Sequence, residues 1–158
     1  MPTPGYTMEV ELGKIREFAR ATKSRNPDYL TAERPVSPAT FLMTAAFWSA
    51  GSDVPWEDIE GNKDVDLGRV LHGAEEFVFH GEPPRAGTRL VGRARIAAEY
   101  VKEGRRGGSM RFIEIVNEFR TPDGRLVAEA KNTVIVTSQT PPADSATGSA
   151  DSAKGDAR

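Results

Sequence analysis

His72 and His80 are the chain's only imidazoles. An imidazole suits general acid–base chemistry when a carboxylate or hydroxyl stands within reach. Glu75, Glu76 and Glu82 are close in sequence. If residues 70–80 form one strand, however, the two histidines share a face about 26 Å apart, too far to act as a pair. They read as edge or interface histidines. Lys102, Arg105 and Arg106 could meet a phosphate, but a solvated hairpin tip explains them more simply, with Gly104, Gly107 and Gly108 as turn residues. The carboxylates Glu57, Asp58 and Glu60 lie beyond the apolar stretch 37–51, which has none of its own. There is no cysteine, so a thiol nucleophile, a disulfide framework and cysteine-ligated metal sites are excluded. No cofactor and no metal site is expected.

The apolar stretch must position whatever chemistry exists. Residues 37–51 read Ser-Pro-Ala-Thr-Phe-Leu-Met-Thr-Ala-Ala-Phe-Trp-Ser-Ala-Gly. Ser37 suits a helix cap, Pro38 the first helical position and Gly51 a stop. Apolar side chains point in every direction, which predicts a helix buried on most sides rather than one with a polar face. It is too short to span a bilayer, which takes roughly 20 apolar residues. An ordinary core helix without a functional role fits the same residues.

Before it, residues 6–12 predict a short strand, with Met8, Val10 and Leu12 alternating against polar neighbours. Residues 14–22 predict an amphipathic helix carrying Ile15, Phe18, Ala19 and Thr22 at helical spacing. Asn26-Pro27 marks a loop. Residues 51–68 are polar and rich in turn residues, and a loop that long suggests a lid or binding loop. After it the period becomes two. Strands are predicted over 70–80, 89–101, 110–120 and 125–137, joined by turns at 82–87, 102–108 and 121–124. In the second of them Leu90, Gly92, Ala94, Ile96, Ala98 and Tyr100 fall on alternate positions. Residues 139–158 lack large apolar side chains and predict a disordered tail.

The expected fold is therefore α+β: an antiparallel four-strand meander curled around one apolar helix. This is the hotdog arrangement, covering residues 1–138 as one domain. Its other sheet face needs a partner, so a dimer is expected. A net charge of −2 over 158 residues suggests no nucleic-acid partner. No signal peptide or membrane span is visible, and the absence of cysteine is compatible with a cytoplasmic protein.

At this point the residues resemble a known family. Phe18-Ala19-Arg20-Ala21-Thr22 and Asn26-Pro27 look like the region that carries the hydratase motif of MaoC-like (R)-specific enoyl-thioester hydratases. Leu71-His72-Gly73, Glu76-Phe77-Val78-Phe79-His80, Pro84 and Ala86-Gly87-Thr88-Arg89-Leu90 resemble the strand-turn-strand of the FAS1-like dehydratase domain. Pro38-Ala39-Thr40-Phe41 resembles the start of that family's central helix. The family's motif runs Gly-Asp-x-Asn-Pro-Leu-His, and its Asp and His act on water and on the proton alpha to the thioester.

The matching run here is Lys23-Ser24-Arg25-Asn26-Pro27-Asp28-Tyr29. Ser24 stands at the Asp position and Tyr29 at the His position. Serine is no base near neutral pH, and tyrosine with a pKa of about 10 replaces histidine poorly. The resemblance therefore implies no catalytic residue in this chain. It implies the non-catalytic subunit of a heterodimeric (3R)-hydroxyacyl-ACP dehydratase. The partner would be a catalytic MaoC-like hotdog subunit, in a heterodimer or heterotetramer, and the substrate an acyl-CoA or acyl carrier protein thioester.

Asn26, Pro38, Thr40, Phe41, Met43, Phe47 and Trp48 are the expected substrate-binding residues. Thr40 and Phe41 would sit at the mouth of the acyl tunnel, and Met43, Phe47 and Trp48 deeper or in the core beside it. Hotdog thioesterases place a carboxylate on or beside the central helix, and its absence from 37–51 counts against that activity. Two other readings stand beside the subunit: a self-sufficient hydratase using Tyr29, His72 or His80, and an acyl-binding module without turnover. Deleting residues 141–158 should shift the melting temperature by no more than a few degrees, because the tail has nothing to bury.

Overall fold

Alternation of apolar and polar side chains starts the fold. In β1 (Tyr6–Glu9) Tyr6 and Met8 turn inward, and Thr7 and Glu9 outward. Helix α1 (Leu12–Ala21) buries Ile15 and Ala19, four residues apart on one face. A single turn, α2 (Pro27–Leu30), follows. The computed structural model describes residues 5–49, 66–104 and 108–138. Among them no helix is long and apolar enough to cross a membrane.

Four longer strands complete one antiparallel sheet: β2 (Val70–Phe79), β3 (Arg89–Glu103), β4 (Ser109–Arg120) and β5 (Leu126–Thr137). The strand order is β1-β3-β4-β5-β2. The expected four-strand meander holds only for β3, β4 and β5. β2 pairs with β5, so residues 80–88 cross the sheet end instead of closing a hairpin. Pro83 and Pro84 make that link unsuited to a tight turn. It is fastened by the main chain. His80 N–H donates to Val127 O at 2.9 Å, Ala86 N–H to Pro35 O at 2.9 Å, and Gly87 N–H to Val10 O at 2.8 Å.

Two bulges overturn the face assignments made from period two. In β3 the register slips between Ile96 and Ala98, so Ala98 and Tyr100 leave the face that holds Gly92, Ala94 and Ile96. Tyr100 instead stacks on Phe112 across the strand pair, with the centroids 5.1 Å apart, and Lys102 lies over both rings. In β2 the slip falls between His72 and Ala74. His72 pairs with Val134 on the helix-covered face, whereas His80 bonds Glu129 on the outer one. The two histidines therefore do not share a face.

The stretch 37–51 is also not one buried helix. Its described part is a 3₁₀ turn (Phe41–Ala45) followed by α3 (Ala46–Ser49). Phe41, Leu42 and Ala45 are buried, but Met43 is 60% and Phe47 82% exposed. In 3₁₀ winding, residues three apart eclipse, so one narrow side enters the core and the rest face out. Ser37 does not cap: its N–H donates to Pro84 O at 2.8 Å and its buried Oγ has no protein partner. Gly51 lies outside the described residues, as do Glu57, Asp58 and Glu60, Arg105, Arg106 and Gly107, and the tail 139–158.

The core on the covered face joins Met8, Ile15, Phe41, Leu42, Leu90, Phe119 and Ala128. One polar contact crosses it. Tyr6 lies flat over Gly92, where a Cβ would stand 2.3 Å from the ring, and its hydroxyl meets Asn117 Nδ2 at 2.5 Å. Gly92→Ala should cost about 1–3 kcal/mol through overpacking, and the cost should vanish in a Tyr6→Ala background. Denaturant melts of the double-mutant cycle check this.

Burial raises the Tyr6 hydroxyl's pKa, against the smaller opposing effect of the Asn117 bond. Above about pH 10 the unfolded chain ionises Tyr6 and the folded chain does not, so stability falls as pH rises. Tyr6→Phe should flatten that alkaline loss in melts between neutral pH and pH values above about 10.

Candidate functional site

The loop that matches the resembled family's acid–base motif is built by the end of α1. Lys23 sits at φ 55, in the left-handed region. Ser24 N–H donates to Ala19 O at 2.8 Å and Lys23 N–H to Arg20 O at 3.0 Å. Together these bonds form the Schellman closure, whose left-handed position usually holds glycine. Asn26 then caps α2, its Oδ1 accepting from Asp28 N–H at 3.0 Å, with Pro27 in the first turn. Asn26 N–H donates to Ser24 Oγ at 3.3 Å. The loop thus has an ordered backbone whose side chains serve its own turns.

No carboxylate–imidazole pair stands in it. Ser24 is engaged by the loop's own main chain, and the Tyr29 ring packs against the core. The pair His80 Nε2–Glu129 Oε2, at 2.9 Å, lies on the outer face of the sheet, opposite the helices. Among the described residues no group of three or more His, Asp or Glu could hold a metal ion.

Beside the loop, α1 and the segment 44–48 enclose a groove of about 460 Å³. Phe18, Ala21, Thr44, Phe47 and Trp48 line it, with exposed Glu11, Lys14 and Glu17 on the α1 side. Of the residues expected to bind substrate, the structure brings Phe47 and Trp48 together here. The others are spread out. Phe41 lies beneath, fully buried, its ring edge-on to Phe18 at 5.7 Å. Pro38 is buried, Thr40 and Met43 are exposed, and Asn26 caps α2.

Phe41 is thus a core residue, and Met43 and Phe47, expected deeper or in the core, are exposed. Phe18, Ala21 and Thr44 were not foreseen as groove residues. The three-residue step from Phe18 to Ala21 in an amphipathic helix was the available signal.

Such a groove can hold an apolar chain, and the loop beside it carries one carboxylate, the exposed Asp28, and no imidazole. A five-stranded antiparallel sheet with its helices on one face is the hotdog class. The model for the FAS1-like, dehydratase domain region matches residues 1–130, and the chain belongs to that family.

A UPF0336 protein of Saccharopolyspora erythraea is 34% identical over 142 residues, covering 85% of this chain and 83% of that one. A UPF0336 protein of Streptomyces coelicolor is 38% identical over 98 residues, covering 57% and 61%. Among solved structures, a chain of the C-terminally truncated HadBC (3R-hydroxyacyl-ACP dehydratase) complex of Mycobacterium tuberculosis is similar at TM-score 0.58 and 26% identity. The match covers 85% of this chain and 96% of that one. A chain of the ChsH1–ChsH2 complex from the same organism matches at TM-score 0.65 over 90% of each chain, and at 19% identity it speaks for the fold alone.

Lys23→Gly should stabilise the protein by about 1 kcal/mol, since glycine adopts positive φ without the Cβ penalty. Urea titration at unchanged m-value checks it. A destabilised glycine variant would mean that the lysine side chain contributes more than its backbone costs.

Proposed function

We propose that this chain is the non-catalytic subunit of a hotdog (3R)-hydroxyacyl-thioester dehydratase, or (R)-specific enoyl-thioester hydratase in the reverse direction. The observation that carries this reading is the ordered loop 23–29 with Ser24 and Tyr29 where the resembled motif has Asp and His. Dehydration removes a proton alpha to the thioester and protonates the departing hydroxyl, giving enoyl thioester and water. A partner hotdog subunit supplies the carboxylate and imidazole for both transfers. This chain supplies apolar wall from Phe18, Phe47 and Trp48 and part of the interface. The acyl group arrives on CoA or on an acyl carrier protein. The heteromeric HadBC complex supports the pairing.

A self-sufficient hydratase finds less support. Tyr29 packs on the core, His72 stands exposed on an edge strand, and His80 faces away from the groove.

The purified chain should not hydrate crotonyl-CoA above background. Activity should appear on adding a hotdog partner with an intact Asp-x-Asn-Pro-x-His. Turnover by the chain alone at the rate of an ordinary hydratase would defeat the proposal. In the reconstituted complex, Phe47→Ala should change chain-length preference while moving stability by no more than about 0.5 kcal/mol, because the ring is exposed. Phe41→Ala should do the opposite, costing about 3–5 kcal/mol of stability.

A further inference from the structure

Residues 18–27 hold Arg20, Lys23 and Arg25 and no carboxylate. All three cations are exposed, and among the described residues none is in an ion pair. Glu17, the carboxylate before them, pairs with Lys14 at 2.9 Å, and Asp28, the one after, pairs with no cation. Arg16, one turn before Arg20 on the same side of α1, is half-buried. It reaches Ala32 O at 3.4 Å and has no carboxylate within ion-pair distance. By contrast, Arg85, Arg95, Arg111, Arg120 and Lys131 each stand by a glutamate. The end of α1 therefore carries a local excess of positive charge on a chain whose net charge is −2.

Lys23 is the telling member. Its φ of 55 lies where glycine is the default. A cation at a helix C-terminus gains from the helix dipole, but less than a Cβ costs in the left-handed region. Folding alone favours glycine there, and strain of this kind marks sites held for another purpose. The bond from Lys23 N–H to Arg20 O, at 3.0 Å, keeps the two residues together, with Arg25 two positions on. Ala21, between Arg20 and Lys23, lines the groove, so the cations stand at one end of it.

We propose that Arg20, Lys23 and Arg25 bind the diphosphate and 3′-phosphate of coenzyme A, with the pantetheine arm leading toward the groove. The inference rests on the thioester chemistry of the proposed function and selects CoA as the carrier. Each arginine can grip two phosphate oxygens with its planar fork, and the lysine adds a point charge. Three long cationic side chains leaving a single turn suit a compact polyanion. The acidic face of a carrier protein would need cations spread over a wider surface. The lone phosphodiester of a carrier protein's pantetheine arm would leave most of this charge unmatched.

The test is calorimetric titration of the full chain with 3′-phospho-ADP, the nucleotide end of CoA without arm or acyl group. Arg20→Gln/Lys23→Gln/Arg25→Gln, shown folded by circular dichroism, should bind it about tenfold more weakly than the natural chain. Lys23→Gly alone should weaken binding while raising stability, separating the two roles of that position. Arg125→Gln, which removes an exposed cation on another turn, should leave the affinity unchanged. ADP, which lacks the 3′-phosphate, should bind more weakly, and 1 M salt should abolish binding because the screening length falls to about 3 Å. Nuclear magnetic resonance should place the shifted amides at residues 19–26.

No binding of 3′-phospho-ADP, undiminished binding by the triple variant, or an equal loss in Arg125→Gln would each overturn the proposal. So would an acyl carrier protein lacking its pantetheine arm, if the triple variant lost its binding while still holding the nucleotide. None of these touches the subunit reading, which falls on crotonyl-CoA turnover by the pure chain. That turnover would in turn leave the titrations as measured.

Discussion

A five-stranded sheet cannot leave an apolar face in water, and a short segment supplies what covers it here. Phe41, Leu42 and Ala45 enter the same core as Met8, Leu90, Phe119 and Ala128. Phe41 is fully buried, and its ring meets Phe18 of α1 edge-on. A buried phenylalanine contributes several kcal/mol, a large share of the marginal net stability of a domain this size. The seat of α1 follows from that contact, because Phe18 is held from below by Phe41 while its other side lines the groove. The loop at the end of α1 inherits its position in turn. Packing thus fixes the place of the groove and loop before any polar group is considered.

Polar contacts then refine that packing. A tyrosine hydroxyl buried without a partner would carry a desolvation cost, and Asn117 removes it for Tyr6. The bond exists only because Gly92 lets the ring lie flat on the neighbouring strand. Three residues from β1, β3 and β4 therefore depend on one another, though 111 positions separate Tyr6 from Asn117. No local pattern announces such a set.

That explains which parts of the fold were legible in the sequence. β4 and β5 were readable to within a residue or so, since both are runs rich in β-branched and aromatic residues bounded by turn residues. β3 was readable as a strand, but its faces were not: a bulge costs one residue of register and leaves no signature in Ile96-Ala97-Ala98. The same holds for His72-Gly73-Ala74, where only the glycine hinted at irregularity; a Cβ there would come within 2.9 Å of Ile135. Strand order was hidden because pairing of β2 with β5 is decided by contacts far apart in the chain. The segment 37–49 misled for a different reason. Apolar side chains all round imply burial only if something covers every side, and within this chain Met43 and Phe47 are left outside.

At the loop 23–29 the sequence revealed the chemistry and the structure supplied the meaning. The closure at Lys23 and Ser24 is made by main-chain bonds, and Asn26 with Pro27 sets the next turn. These features do not depend on whether a carboxylate or an imidazole projects from the loop, so the backbone path survives their replacement. A non-glycine residue held at positive φ costs about 1–2 kcal/mol, and the surrounding bonds must offset it. On the subunit reading proposed above, a loop kept in shape at that cost, with Ser24 and a core-packed Tyr29 where the resembled motif has Asp and His, contributes its shape. Shape is what a tunnel wall or a subunit contact would require, and on that reading proton transfer falls to the partner.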